Sequence, residues 1–221
     1  MIPQHYSREI VQRCHSLIRH LRPAIENGLP GDAQFGGTLE TTFLLAMATP
    51  MIVLPIERIL VPEYNSSQVG NDRNLDPSLA EAVSSVLGGE CTFSKAPFGA
   101  AGQWSYVPAY APVFNLADGC PHELLQALNT PEALARANDA PAADILHVLR
   151  NALAHGGVAY LDKDGMTTEH AADVLAFIST QRDDRRRVIG LNVLGVSQSD
   201  FYGFLTAWTA WLSPAARRDV A

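Results

Sequence analysis

Cysteine is scarce and scattered in this sequence: Cys14, Cys91 and Cys120 are the only three, and no two stand at CxxC spacing. That argues against a disulfide framework and, more strongly, against a cysteine-rich metal site. Basic charge is also short, with 16 Lys and Arg against 23 Asp and Glu and a net charge of −7. A protein that coats nucleic acid non-specifically draws its affinity from neutralised phosphates and carries a basic surface. Any contact with nucleic acid must therefore be local. The strongest membrane candidate, FLLAMATPMIVLPI at 43–56, falls short of the roughly 20 residues a spanning helix needs. Pro50 and Pro55 interrupt it, so it reads as a buried central helix with a kink, and no membrane partner is expected. The opening MIPQHYSREI has no apolar stretch of signal-peptide length, and a reducing, cytoplasmic setting is expected. There is no Gly-rich phosphate loop, Ser-His-Asp elbow or HExxH pair, and neither cofactor nor metal is expected. His15 and His20, five apart, fit one helical face poorly as metal ligands.

What is present suits one large domain spanning 1–221: 47% of the 221 residues are hydrophobic and 18% charged. Ile10, Leu17, Ile18, Leu21 and Ile25 recur at helical spacing over 6–26. After the turn-rich NGLPGDAQFGG, Thr38 is the expected N-cap of the apolar helix, which runs to about Leu60. Residues 62–76 read as a surface loop, and DPSLAEAVSSVLGG as a short helix with proline at its start and glycine at its end. The stretch 90–118, rich in Gly, Pro, Ala and aromatics, has no clear period. It fits either a pocket lining or an irregular loop packed by its own aromatics. Helical text returns with PHELLQALNTPEALARA. Further on, VAYLDKDGM reads as a strand and an Asp-Gly turn, and DVLAFIST and RRVIGLNVL as a hairpin around QRDDR. The run RDDRRR, 182–187, reads as a solvated hairpin loop or as a contact for RNA. Ser197 and Asp200 make a capping-box-like start to a last helix whose Phe201, Phe204, Leu205, Trp208, Trp211 and Leu212 form one apolar face. The expected fold is mainly α, with a small antiparallel sheet inserted before the C-terminal helix.

The stretch ILHVLRNALAHGG, 145–157, carries the chemistry. On a helix, Asp144, His147, Asn151 and His155 fall at i, i+3, i+7 and i+11, on one polar stripe. Ile145, Val148, Leu149, Ala152 and Leu153 take the opposite side, with Arg150 between the two faces. Gly156 and Gly157 end the helix directly after His155. His155 thus sits at the negative end of the helix dipole, where a cation is favoured. A histidine can move protons near neutral pH, and an arginine offers a fixed charge and a forked donor suited to phosphate oxygens. The same two residues near a helix C-terminus also serve as ordinary partners of its last carbonyls.

RNALAH fits the R-x4-H signature of the HEPN superfamily of helical nucleic-acid-associated domains. With the strand, hairpin and closing helix that follow, the segment 141–213 resembles a plasmid- and bacterium-borne HEPN subfamily with strands between its last two helices. The resemblance implies a four-helix core with additional helices, a homodimer, and metal-independent endoribonuclease activity in phage defence, stress response or a toxin–antitoxin pair. Arg150 and His155 would be the catalytic pair, and Asn151 would support the site. His147 and Asp144, on the same stripe, are candidates for substrate binding. The alternative implied function is a non-catalytic module that binds nucleotide, RNA or a protein partner such as an antitoxin. Some HEPN toxins carry a tyrosine two residues after the histidine, where this sequence has Gly157. An ideal helix points residues five apart about 140° from each other. A twofold axis that brings Arg150 of one copy to His155 of another would close that gap.

Overall fold

The computed structural model describes residues 5–60, 72, 77–87, 91–162, 166–168 and 172–213. The loop expected over 62–76, the Asp-Gly turn at 164–165 and the glycines at 88–89 lie outside these, apart from Asp72. The helices are α1 (Tyr6–Glu26), α2 (Glu40–Pro55), α3 (Pro77–Leu87), α4 (His122–Leu128), α5 (Pro131–Asp139), α6 (Ala142–His155) and α7 (Gln198–Leu212). The strands are β1 (Trp104–Tyr110), β2 (Val158–Leu161), β3 (Val174–Arg182) and β4 (Val188–Ser197). They form one antiparallel sheet in the order β1-β4-β3-β2. The protein is mostly helical with a small four-stranded antiparallel sheet.

The sheet corrects one expectation. Its first strand comes from the stretch 90–118, before α4, so the sheet is not wholly an insertion ahead of the last helix. WSYVPAY alternates poorly and contains Pro108, but it is an edge strand, where a proline is tolerated. The register shifts between Val107 and Tyr110, around that proline, with Ala109 at a φ of 54°. Pairing with β4, from Trp104 opposite Val196, fixes the strand rather than local pattern. The aromatics of this stretch do not pack only among themselves. Phe93, Phe98 and Trp104 enter the main core, where Phe98 lies 5.0 Å from both Trp208 and Trp211, ring centre to ring centre.

Helix α2 is the axis of that core. It is capped by the Leu39 backbone, not by the Thr38 side chain, and beyond Pro55 it continues as a single π turn, Ile56–Leu60. The helical run Glu40–Ile59 reaches 20 residues, and Leu44, Ala48, Met51, Ile52, Ile56 and Ile59 are buried in the core it shares with α1, α6 and α7. Helix α7 starts as its sequence suggests, with the Asp200 N–H donating to Ser197 Oγ at 3.0 Å. The return bond of a capping box is not made; Asp200 Oδ2 accepts from the Gln103 N–H instead. All six residues of its apolar face are buried. His15 is occupied structurally, at 3.1 Å from Thr206 Oγ1 and stacked on Tyr202.

One buried charge ties α1 to the π turn. Asp72, 1% exposed, accepts from Ser7 N and Ser7 Oγ and pairs with Arg58 at 2.9 Å. Burial pushes its carboxyl up, but the bonds from Arg58 and Ser7 outweigh it and hold the carboxyl below the ordinary range. A depressed carboxylate contributes stability above its unfolded pKa, about 3.9, and loses it as pH falls through the folded value. Asp72→Asn is therefore expected to melt below wild type at pH 7, with the gap narrowing at pH 3. Thermal melts at the two pH values check this.

Candidate functional site

The end of α6 is built by its two glycines, for different reasons. Gly156 is the left-handed C-cap, at φ 70° and ψ 24°, a conformation that glycine adopts without strain. Gly157 instead lies hard against β3: an added Cβ would come 2.2 Å from the Ile178 carbonyl oxygen. The chain then turns into β2, and the Ile178 N–H donates to the Gly157 carbonyl at 2.7 Å. A tyrosine two residues after the histidine has no room here. Gly157→Ala is expected to push β2 from β3 and destabilise the fold by about 1–3 kcal/mol, as overpacking does. Urea unfolding measures the loss, while Gly156→Asn, in open space, should cost less.

Past Gly157, strand β3 runs on without β2 beside it, and a cleft of about 730 Å³ opens there. That volume suits a nucleotide-sized ligand. Helix α6 gives one wall with His147, Asn151 and His155. Strand β3 gives the floor with Ile178, Ser179, Thr180 and Arg182. The segment after β1 closes the third side with Val113, Phe114 and Leu116, so 90–118 lines a pocket as one of its two readings had it. The cleft thus combines apolar walls, one aromatic ring and several hydrogen-bonding groups.

Three of the five candidate site residues meet in this cleft. The His155 side chain makes no hydrogen bond to any described residue and is exposed. His147 is held below the ordinary histidine range by desolvation first and by the Arg150 charge second, against the opposing pull of Asp144. Asp144 is exposed and lies outside the cleft lining, where its charge, after burial, helps raise the Tyr106 hydroxyl.

Arg150 also lies outside the lining and turns the other way. Its guanidinium pairs with Glu57 on the π turn and donates from Nη1 to Asn151 Oδ1, while Nε is buried without a partner among the described residues. Arg150 therefore orients the Asn151 amide, whose side chain lines the cleft. Single π turns are frequent at functional sites. Here the π turn brings up Glu57.

Four further residues belong with the site: Glu57 and Ser179 carry no site reading in the sequence, and Phe114 and Arg182 are reached only as members of the stretch 90–118 and the run 182–187. Glu57 stands in an apolar run with no motif around it, and its sole hint is the preceding Pro55. Phe114 belongs to the aperiodic aromatic stretch, and Ser179 to a strand that reads as structural. Arg182 opens the RDDRRR run, whose other members form a self-contained hairpin end: Asp183 accepts from Arg185 N, Arg187 N and Arg187 Nε. Among the described residues, no three His, Cys, Asp or Glu side chains are grouped as a metal site would need.

No protein-family model matches the chain, and neither the curated proteins nor the solved structures give a match. The function rests on the cleft.

Proposed function

We propose that the protein is a HEPN-like domain that binds RNA in the His155 cleft and cleaves it without a metal ion. One observation carries the reading: His155, the last residue of the Arg-Asn-x-x-x-His motif, stands with an uncommitted ring in a nucleotide-sized cleft with Asn151, Arg182 and Phe114. A ribose and its phosphate need a base, a cation and hydrogen-bond donors, and a nucleobase stacks on an aromatic face. His155 takes the proton of a 2′-hydroxyl, and the 2′-oxygen attacks the adjacent phosphorus. The bond from phosphorus to the 5′-oxygen breaks, and that oxygen takes a proton from solvent. The products are a 2′,3′-cyclic phosphate and a 5′-hydroxyl, and His155 returns its proton to water. Asn151, oriented by Arg150, donates to the phosphate or the sugar. Arg150 itself joins the chemistry only by exchanging Glu57 for phosphate, in its own chain or across the twofold axis of a homodimer.

The ion pair between Arg150 and Glu57 favours a second reading, in which the motif arginine is purely structural and the cleft binds RNA or nucleotide without cutting it. Incubation of the purified protein with total RNA and a chelator separates the two. Fragments ending in 2′,3′-cyclic phosphate support cleavage. Intact RNA retained on the protein supports binding alone, and cutting that depends on Mg²⁺ contradicts the proposed chemistry.

A further inference from the structure

Strand β3 holds an unspent pair of polar groups in the cleft. Ser179 is 5% exposed, and its Oγ has no hydrogen-bond partner among the described residues although the residue lines the cleft. A buried hydroxyl left unpaired is costly, and such an atom at a cavity wall points to a ligand that pairs it. Three residues on, Arg182 reaches the same cleft. Alternation alone would put positions 179 and 182 on opposite faces of the strand. Both nevertheless line the cleft, which lies along the edge of β3 left free where β2 stops pairing at Phe177.

The two arginines near the cleft differ in what holds them. Arg150 is already neutralised by Glu57. Arg182 has no carboxylate within ion-pair distance among the described residues; its Nη1 donates to the Arg186 carbonyl at 2.9 Å, which fixes the guanidinium and leaves its other donors uncommitted. In a protein of net charge −7, an uncompensated, anchored guanidinium that lines the same cleft as an unpaired buried hydroxyl is suited to an anion. Phe114, across the cleft and edge-on to Tyr110 at 6.2 Å, offers a ring to a base.

We propose that Ser179 and Arg182 form the phosphate subsite of the cleft, so that the cation facing the RNA phosphate is Arg182 and Arg150 is a positioning residue acting through Asn151. This rests on the RNA reading given above. The test uses fluorescence anisotropy of the full chain with a fluorescein-labelled 2′-O-methyl RNA, which lacks the attacking hydroxyl and stays uncut. Arg182→Gln is expected to weaken binding about tenfold or more and to reduce the slope of log K against log salt by about 0.7, as loss of one single-strand phosphate contact does. Ser179→Ala should weaken binding severalfold, with Ser179→Cys as the second variant where alanine disturbs folding. Arg185→Gln, outside the cleft, should leave affinity within about twofold of wild type and so measures the general effect of removing a charge from this loop. Wild-type affinity and salt slope in Arg182→Gln would overturn the subsite while leaving RNA binding standing. Equal losses in Arg182→Gln and Arg185→Gln would overturn it too, since they would report loop charge alone. Unchanged affinity in a folded Ser179 variant would remove Ser179 from it. Wild-type protein that neither binds this RNA nor cuts total RNA would overturn the RNA reading and the subsite together.

Discussion

His155→Ala is expected to lower RNA cleavage by about 10²–10⁴-fold, the contribution of a positioned general base, while leaving the fold intact. The second half of that expectation follows from the side chain's surroundings. His155 is exposed on the last turn of α6 and makes no hydrogen bond to any described residue, so its removal opens no cavity and strands no buried partner. Single-turnover cleavage and a thermal melt on the same preparation read the two halves separately. Activity that persists unchanged in His155→Ala would remove the residue from the chemistry. A large fall in Tm would mean that it acts through the fold.

Trp208→Ala should have the opposite signature. Trp208 is 1% exposed at the centre of the aromatic cluster, 5.0 Å from Phe98 and 5.2 Å from Trp211 between ring centres. Its Nε1–H donates at 2.8 Å to the Met51 carbonyl, whose usual helical donor four residues on is Pro55, which has no N–H. Truncation removes a large apolar body and leaves a buried acceptor unpaired. The cost expected for such a change is about 3–5 kcal/mol, or a fall in Tm of roughly 6–20 °C for a chain of this size. Cleavage by the fraction that remains folded should be unchanged at low temperature, because Trp208 and the rings packed on it do not line the cleft.

These two residues also mark what could be read in advance. The face of α7 was legible because about four turns of helical spacing admit one burial pattern, and the finish of α6 because two glycines after a histidine can do little else. The hairpin β3–β4 followed from two apolar runs around a charged turn. Strand β1 was hidden because its pairing with β4, not its own pattern, makes it a strand, and Pro108 reads as a breaker until its edge position is known. The motif placed Asn151 and His155 in the cleft region, but nothing in it could say that Arg150 would face Glu57 across a π turn. Arg182 and Ser179 join the site through the point where β2 stops pairing with β3, which is a tertiary fact.

The claim at the centre of this account is that RNA occupies the cleft between α6, β3 and the segment around Phe114. Chemical-shift mapping of ¹⁵N-labelled protein titrated with uncleavable 2′-O-methyl RNA tests it most directly. The expected result is shifts confined to Phe114, Leu116, Asn151, His155, Gly157, Ser179, Thr180 and Arg182, with Arg150 moving only as Asn151 does. Shifts centred on another face of the protein, or none at RNA concentrations that cleavage requires, would contradict it.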